Sequence, residues 1–155
     1  MTYKVQDYKG ISFLGFGGYI DARANDSVRD KDWQKKVDKR NKKAEKKMNS
    51  LVKKIGKKSI FILHYPVLGI FDKILEKNKF HGKSVGVDFF RKAILKKKPF
   101  LVLCGHMHEY QGEKKLGDSI VINPGYGAKG KFAIIDIDEK KRRVKEVKFY
   151  GKKKK

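Results

Sequence analysis

The segment Phe100-Leu-Val-Leu-Cys-Gly-His-Met-His-Glu109 is a short apolar run that ends in a glycine and two histidines. A second apolar run, Ser119-Ile-Val-Ile-Asn123, follows a polar linker and closes on Pro-Gly. Runs of this length, rich in Val, Ile and Leu and bounded by Gly and Pro, predict buried strands. His106 and His108 are therefore expected on the loop that leaves a strand's carboxyl end, where open α/β sheets place their ligand sites.

The His-x-His pattern has a geometric meaning. Side chains two residues apart point to nearly opposite sides of a helix, but they can converge on a looping segment. Gly105 allows the sharp turn that would bring both imidazoles to one point, and imidazole ligands suit Zn, Mn, Fe or Ni ions. An isolated His-x-His is more often a pair of surface histidines, so the rest of the chain has to decide between the two interpretations.

The remaining apolar pattern predicts one α/β domain over residues 1–150, followed by a Lys-rich disordered tail at 151–155. An apolar strand at 59–63 ends in His64-Tyr65-Pro66, which repeats the order of strand, histidine and turn. The other expected elements are strands at 3–5 and 11–16, a loop at 21–30, a long amphipathic helix at 33–55 with a basic outer face, a short helix at 72–76, a helix at 85–97 and a hairpin of 131–138 with 142–150.

Composition sets limits on partners and location. The chain has 155 residues, with 40 Lys and Arg against 17 Asp and Glu, for a net charge of +23. Such a charge attracts nucleic acid and phosphorylated substrates, although only six of the basic residues are Arg, the residue that base recognition favours. No apolar run approaches a membrane span, and we expect no signal peptide. Cys104 alone cannot form an internal disulfide; we expect a cytoplasmic protein in which this thiol is part of the core.

All four histidines of the chain follow strands or lie in Gly-containing loops. With their neighbours they form the motifs Leu63-His64-Tyr65-Pro66, His81-Gly82-Lys83-Ser84 and Cys104-Gly105-His106-Met107-His108-Glu109, which Asn123-Pro124-Gly125 follows. In this order the motifs resemble the calcineurin-like metallophosphoesterase family, over roughly residues 3–149. The resemblance implies part of an αββα sandwich, with a mixed sheet and flanking helices, corresponding to the C-terminal half of the family fold.

The resemblance further implies a two-metal site that hydrolyses phosphate esters. By position, His64 and His106 are similar to ligands of one divalent ion, and His108 to a ligand of the other. His81 is similar to a residue near the substrate in some members, with a solvated loop histidine as an equal alternative. Mn, Fe, Zn and Ni all remain open as the metal. Phosphodiesters, phosphomonoesters, nucleic acids and cyclic nucleotides remain open as substrates.

The chain also departs from the family pattern. It contains no Asp-x-His, no Asn-His pair and no Gly-Asp placed to supply a bridging carboxylate. The missing strands predict an isolated chain that forms a homo-oligomer, binds a partner or aggregates. Three explanations follow: a truncated or separately encoded half that assembles with an N-terminal partner, a start assigned inside a longer protein, or a degenerate member with one metal or none. We favour the first two, because all three histidines of this half remain. The alternative function is a non-catalytic, basic nucleic-acid-binding or scaffold protein.

Overall fold

A computed structural model of the chain describes residues 3–17, 31–56 and 59–151. The predicted loop at 21–30 and nearly all of the predicted tail lie outside these ranges. The strands are β1 Tyr3–Tyr8, β2 Ile11–Phe16, β3 Ile60–Leu63, β4 Leu101–Leu103, β5 Gly112–Leu116, β6 Ser119–Asn123, β7 Phe132–Asp138 and β8 Arg143–Tyr150, and the helices are α1 Lys31–Lys53 and α2 Asp88–Lys97.

Six strands form the main sheet, in the order β1-β2-β3-β4-β6-β5. The four central strands are parallel, and β1 and β5 pair antiparallel at the two edges. Parallel neighbours align their carboxyl ends at one edge of a sheet. The ends of β3 and β4, each followed by a histidine, therefore lie side by side.

The main sheet is covered differently on its two faces. Both helices pack on one face, against alternate residues such as Leu14, Phe61 and Val102. The two-stranded sheet of β7 and β8 packs on the other face, against intervening residues such as Ile60 and Leu101. This alternation is the period of two expected for strands that are buried on both sides. The predicted α/β class, with a mixed sheet and flanking helices, is confirmed.

Helix α1 buries the apolar side that its sequence pattern predicts. Its buried residues recur at helical spacing, while the lysines between them are exposed. Helix α2 starts at Asp88 rather than at residue 85, and it ends before Pro99 with Lys98 in the left-handed conformation. No helix in the described ranges combines the length and the apolar character that crossing a bilayer requires.

Two local predictions fail. The short helix expected at 72–76 is absent, because Asp72 turns its carboxylate inward and Lys73 forms an isolated β-bridge with Ser84. The presumed linker after Glu109 contains β5, which pairs antiparallel with β6. Three polar residues in the middle of β5 are exposed, so this edge strand carries little of the apolar signal on which strand prediction depends.

Candidate metal centre

The carboxyl ends of β3 and β4 bring two histidines together. The amide of His64 donates to the carbonyl of Phe16 (3.1 Å), and the amide of Gly105 donates to the carbonyl of His64 (3.2 Å). These bonds extend the parallel pairing beyond the ends of the strands. As a result, Nδ1 of His106 lies 3.3 Å from Nε2 of His64, with both rings exposed at the sheet edge.

The backbone at His106 holds an unusual conformation. Its φ is +68°, in the left-handed region that non-glycine residues rarely occupy. Such a conformation costs on the order of 1–3 kcal/mol and persists where the surrounding structure enforces it, most often at functional sites. Tyr65, which is buried, packs its ring 4.4 Å from the His106 ring and limits how that imidazole can rotate.

His108 is positioned by the loop that follows β6. Its ring stacks on Tyr126 with a centroid distance of 3.9 Å and an interplanar angle of 7°. The buried side chain of Asn123 holds the two loops in place, because its amide donates to the carbonyl of Met107 (3.1 Å) and its oxygen accepts from the amide of Gly125 (2.9 Å). The sequence marks Asn-Pro-Gly as a turn but does not reveal this bridging role.

The long loop after His64 is anchored by a buried carboxylate. Asp72 accepts hydrogen bonds from the amide of Gly69 (2.8 Å) and from the hydroxyl of Ser84. The hydroxyl of Tyr110 donates to the carbonyl of Lys73 (2.9 Å), which ties this loop to the one that carries His106 and His108. The sequence reveals neither anchor, since neither Asp72 nor Tyr110 stands in a recognisable motif.

Cys104 belongs to the core, as the sequence predicts. It lies in the main apolar cluster beneath the histidine loop. Burial raises the pKa of the thiol to about 12, so the nucleophilic thiolate is scarce at neutral pH. A covalent role in catalysis is therefore not supported for this residue.

His81 is not brought to the pair. Its side chain is exposed in a turn-rich loop, and Nδ1 lies 3.2 Å from the carbonyl oxygen of Glu76. Within the described ranges, no hydrogen bond or ring contact connects it to the other three histidines. A role beside the substrate stays a prediction for this residue.

The histidine pair fits one metal ion in part. Two imidazole ligands at about 2.0–2.1 Å from a tetrahedral zinc are separated from each other by about 3.3–3.4 Å, which is close to the observed spacing of 3.3 Å. Yet no group of three or more His, Cys, Asp or Glu side chains suited to a metal ion occurs in residues 3–17, 31–56 and 59–151. The described residues thus offer two ligands for one ion and do not complete a two-metal centre.

The fold agrees with the comparisons to known proteins. The family model described as metallophosphoesterase, calcineurin superfamily, matches residues 4–147. The chain belongs to the calcineurin superfamily of metallophosphoesterases. No curated protein matches the chain.

Two solved structures share the fold. One is 19% identical, with a TM-score of 0.58, and the match covers 96% of this chain and 52% of the other. The second is the protein TT1561 of Thermus thermophilus, which is 18% identical with a TM-score of 0.53, covering 96% of this chain and 57% of the other. The chain thus spans little more than half the length of the solved proteins it resembles.

Proposed function

We propose that this chain contributes ligands to a metal centre that hydrolyses phosphate esters, and that a complementary polypeptide supplies the remaining ligands. The single observation that carries the proposal is the 3.3 Å approach of His64 Nε2 and His106 Nδ1 at the sheet edge. Family membership supports the reaction class. His108, on the same loop as His106, is the candidate ligand of a second ion.

The chain's own side chains would hold and orient the centre. Divalent ions bound there would acidify a water molecule and offset the negative charge of the phosphate. His64 and His106 would hold one ion, with Tyr65 restricting the His106 ring. Tyr126 would keep His108 in a fixed orientation by stacking. The high positive charge of the chain would favour the approach of an anionic substrate.

The ligands missing from this chain are the first reason to propose a complementary polypeptide. Three imidazoles cannot supply the oxygen ligand that bridges two hard cations, and the sequence lacks the Asp-x-His, Gly-Asp and Asn-His elements that would provide the others. The chain also matches only 52–57% of the length of its solved structural relatives. Both observations favour a second source of ligands.

An exposed apolar side chain on the main sheet supports the same proposal. Ile62 is 46% exposed, although its strand lies between β2 and β4 in the parallel part of the sheet. Parallel sheets are normally buried on both faces. Ile62 lies two residues before His64, on the face that the β7–β8 sheet covers elsewhere. We assign the covering of Ile62 to the complementary polypeptide, which would meet the chain next to the histidine pair.

The test is reconstitution. The DNA upstream of the codon for Met1 is searched for a reading frame that carries the missing motifs, and its product is expressed together with this chain. Hydrolysis of bis(4-nitrophenyl) phosphate, a diester, and of 4-nitrophenyl phosphate, a monoester, is measured with Mn²⁺. We expect turnover from the pair and loss of turnover with His106→Ala. A pair that forms and takes up metal but hydrolyses neither compound would exclude this proposal for those ester classes.

A further inference from the structure

The outward face of α1 carries a dense positive charge. Ten of its 23 residues are Lys or Arg and three are Asp or Glu. The chain as a whole has 40 basic and 17 acidic residues among 155. The helix is therefore well above the chain average in basic residues, and it presents this charge on a single element.

Part of the charge is ordered into one line, which we call the basic stripe. Its members recur at i, i+3, i+4, i+7, i+10 and i+11, so they share one side of the helix, away from the buried residues. All of them are exposed. They also line two adjoining surface grooves that share Arg40 and Lys43. The basic stripe consists of Lys36, Lys39, Arg40, Lys43, Lys46 and Lys47.

We infer that the basic stripe binds the phosphate backbone of duplex nucleic acid. Its members span 12 residues of helix, with about 17 Å between the first and the last, and duplex DNA carries a charge about every 1.7 Å along its axis. The acidic residues of α1 do not interrupt the line. Asp32 pairs with Lys35, and Asp38 accepts from Gln34. Glu45 lies near Lys92 of α2, whose pKa is raised mainly by its hydrogen bond with Asp88 and least by Glu45.

Other polyanionic partners fit the stripe less well. A helix that binds a membrane surface inserts several apolar side chains, but five of the six apolar residues of α1 are buried and Trp33 is half-buried. A protein interface has an apolar centre, and the stripe has none. Single strands are held by stacking on successive aromatic side chains, and each of the two grooves contains a single one, Trp33 in the first and Tyr3 in the second.

The topology connects the stripe with the histidine edge. Helix α1 follows β2 and precedes β3, and these strands are parallel neighbours. A helix that joins two parallel strands runs back across the sheet. Residues 40–50 of α1 line a groove together with Tyr3, which pairs with Phe16 at the carboxyl end of β2, so part of the stripe lies at the edge that carries His64 and His106. The inference does not depend on the proposed hydrolysis, because backbone binding requires neither metal nor turnover.

The test measures the salt dependence of binding to a fluorescein-labelled 20-base-pair DNA by anisotropy, with the full chain. The stripe variant is Lys36→Gln, Lys43→Gln and Lys47→Gln. The matched control, Lys115→Gln, Lys140→Gln and Lys141→Gln, removes the same charge from exposed positions elsewhere. We expect the stripe variant to flatten the slope of log K against log salt by about 2.7, since each phosphate contact contributes about 0.9. The control should change that slope little, and circular dichroism verifies that both variants fold.

Two results would overturn the inference. Equal losses of slope in the two variants would mean that binding depends on diffuse net charge. Stripe-dependent binding to phosphatidylserine vesicles or to a 20-nucleotide single strand, at a lower Kd than the duplex, would assign the stripe to another partner. An unchanged slope with His106→Ala would support the independence of the stripe from the histidine centre.

Discussion

Nε2 of His64 and Nδ1 of His106 lie 3.3 Å apart although 42 residues separate them in the chain. At this spacing the two nitrogens either share one proton or bind one cation together. We therefore predict that His64→Ala and His106→Ala each weaken binding of Zn²⁺ or Mn²⁺ by at least about tenfold, since even outer-shell substitutions cost that much at metal sites. Isothermal titration calorimetry of the full chain gives the affinities.

His81→Ala is the matched control for this prediction, because His81 is exposed and its Nδ1 faces the carbonyl of Glu76 rather than the pair. Its metal affinity should equal that of the unmodified chain. Broadening of histidine ring signals by Mn²⁺ in NMR spectra provides a second measurement, which should affect His64 and His106 first. Equal broadening of His81 would indicate non-specific binding and would contradict the assignment.

Asn123 tests how the histidine loop is held. Asn123→Ala leaves the carbonyl of Met107 and the amide of Gly125 without the partners they now have, at about 1–3 kcal/mol for each orphaned group. Asn123→Asp keeps the acceptor, but it places a buried carboxylate against the Met107 carbonyl, so we expect it to be at least as destabilising at neutral pH. Urea unfolding measures both. Free energies of unfolding unchanged by either substitution would refute the bridging role.

Gly86 occupies a position without room for a side chain. A Cβ atom there would lie 2.4 Å from Cα of Leu68 and 2.7 Å from Oδ2 of Asp72. Because backbone cannot yield as a side chain does, Gly86→Ala should destabilise the chain by at least about 2 kcal/mol. Gly127→Ala is the control, since a Cβ atom at that position would have no neighbour within 4 Å among the described residues. Similar melting temperatures for the two variants would show that the backbone around Gly86 and Leu68 shifts enough to accommodate the added methyl group, which would contradict the prediction.

The placement of a histidine after each of the strands β3 and β4 could be predicted, because it depends on short local sequence patterns. Buried parallel strands are continuous apolar runs, and the sequence places a histidine after two of them, so the meeting of His64 with His106 follows from adjacency alone. The orientation of His108 could not be predicted in this way, because it depends on stacking against Tyr126, from a loop 18 positions further on.

The features that escaped prediction depend on tertiary contacts. The sequence around Asp72 predicts a short helix. In the structure, the carboxylate of Asp72 instead accepts hydrogen bonds from the amide of Gly69 and the hydroxyl of Ser84, which hold this segment as a loop. Strand β5 has exposed charged residues and is defined by its pairing with β6 rather than by its own composition. Charged edge strands are common because they discourage unwanted pairing, and the same feature hides them from pattern analysis.

Ile62 provides a test of the complementary polypeptide. Ile62→Thr should change the free energy of unfolding of the isolated chain by less than about 1 kcal/mol, because the side chain is already 46% exposed. It should weaken association with the complement by about tenfold, as expected for losing one buried aliphatic contact. Ile134→Thr, at a position 56% exposed on β7, is the control. Sedimentation velocity measures the association, and equal effects of both substitutions would remove Ile62 from the interface.

Cys104 makes a prediction about pH. Burial raises the pKa of its thiol from 9.0 to about 12, so the neutral thiol stabilises the folded chain. That contribution is complete below about pH 9 and is lost as the pH rises towards 12, by up to about 1.4 kcal/mol per pH unit. The difference in unfolding free energy between the unmodified chain and Cys104→Ala should therefore fall between pH 9 and 10.5. The contributions of all other titrating groups are the same in both chains and cancel in this difference.

Iodoacetamide should label the native thiol of Cys104 far more slowly than the thiol of the chain unfolded in guanidinium, because the thiolate is the reactive form. Rapid labelling of the folded chain at pH 8, or a difference that is constant with pH, would mean that the thiol is accessible to water.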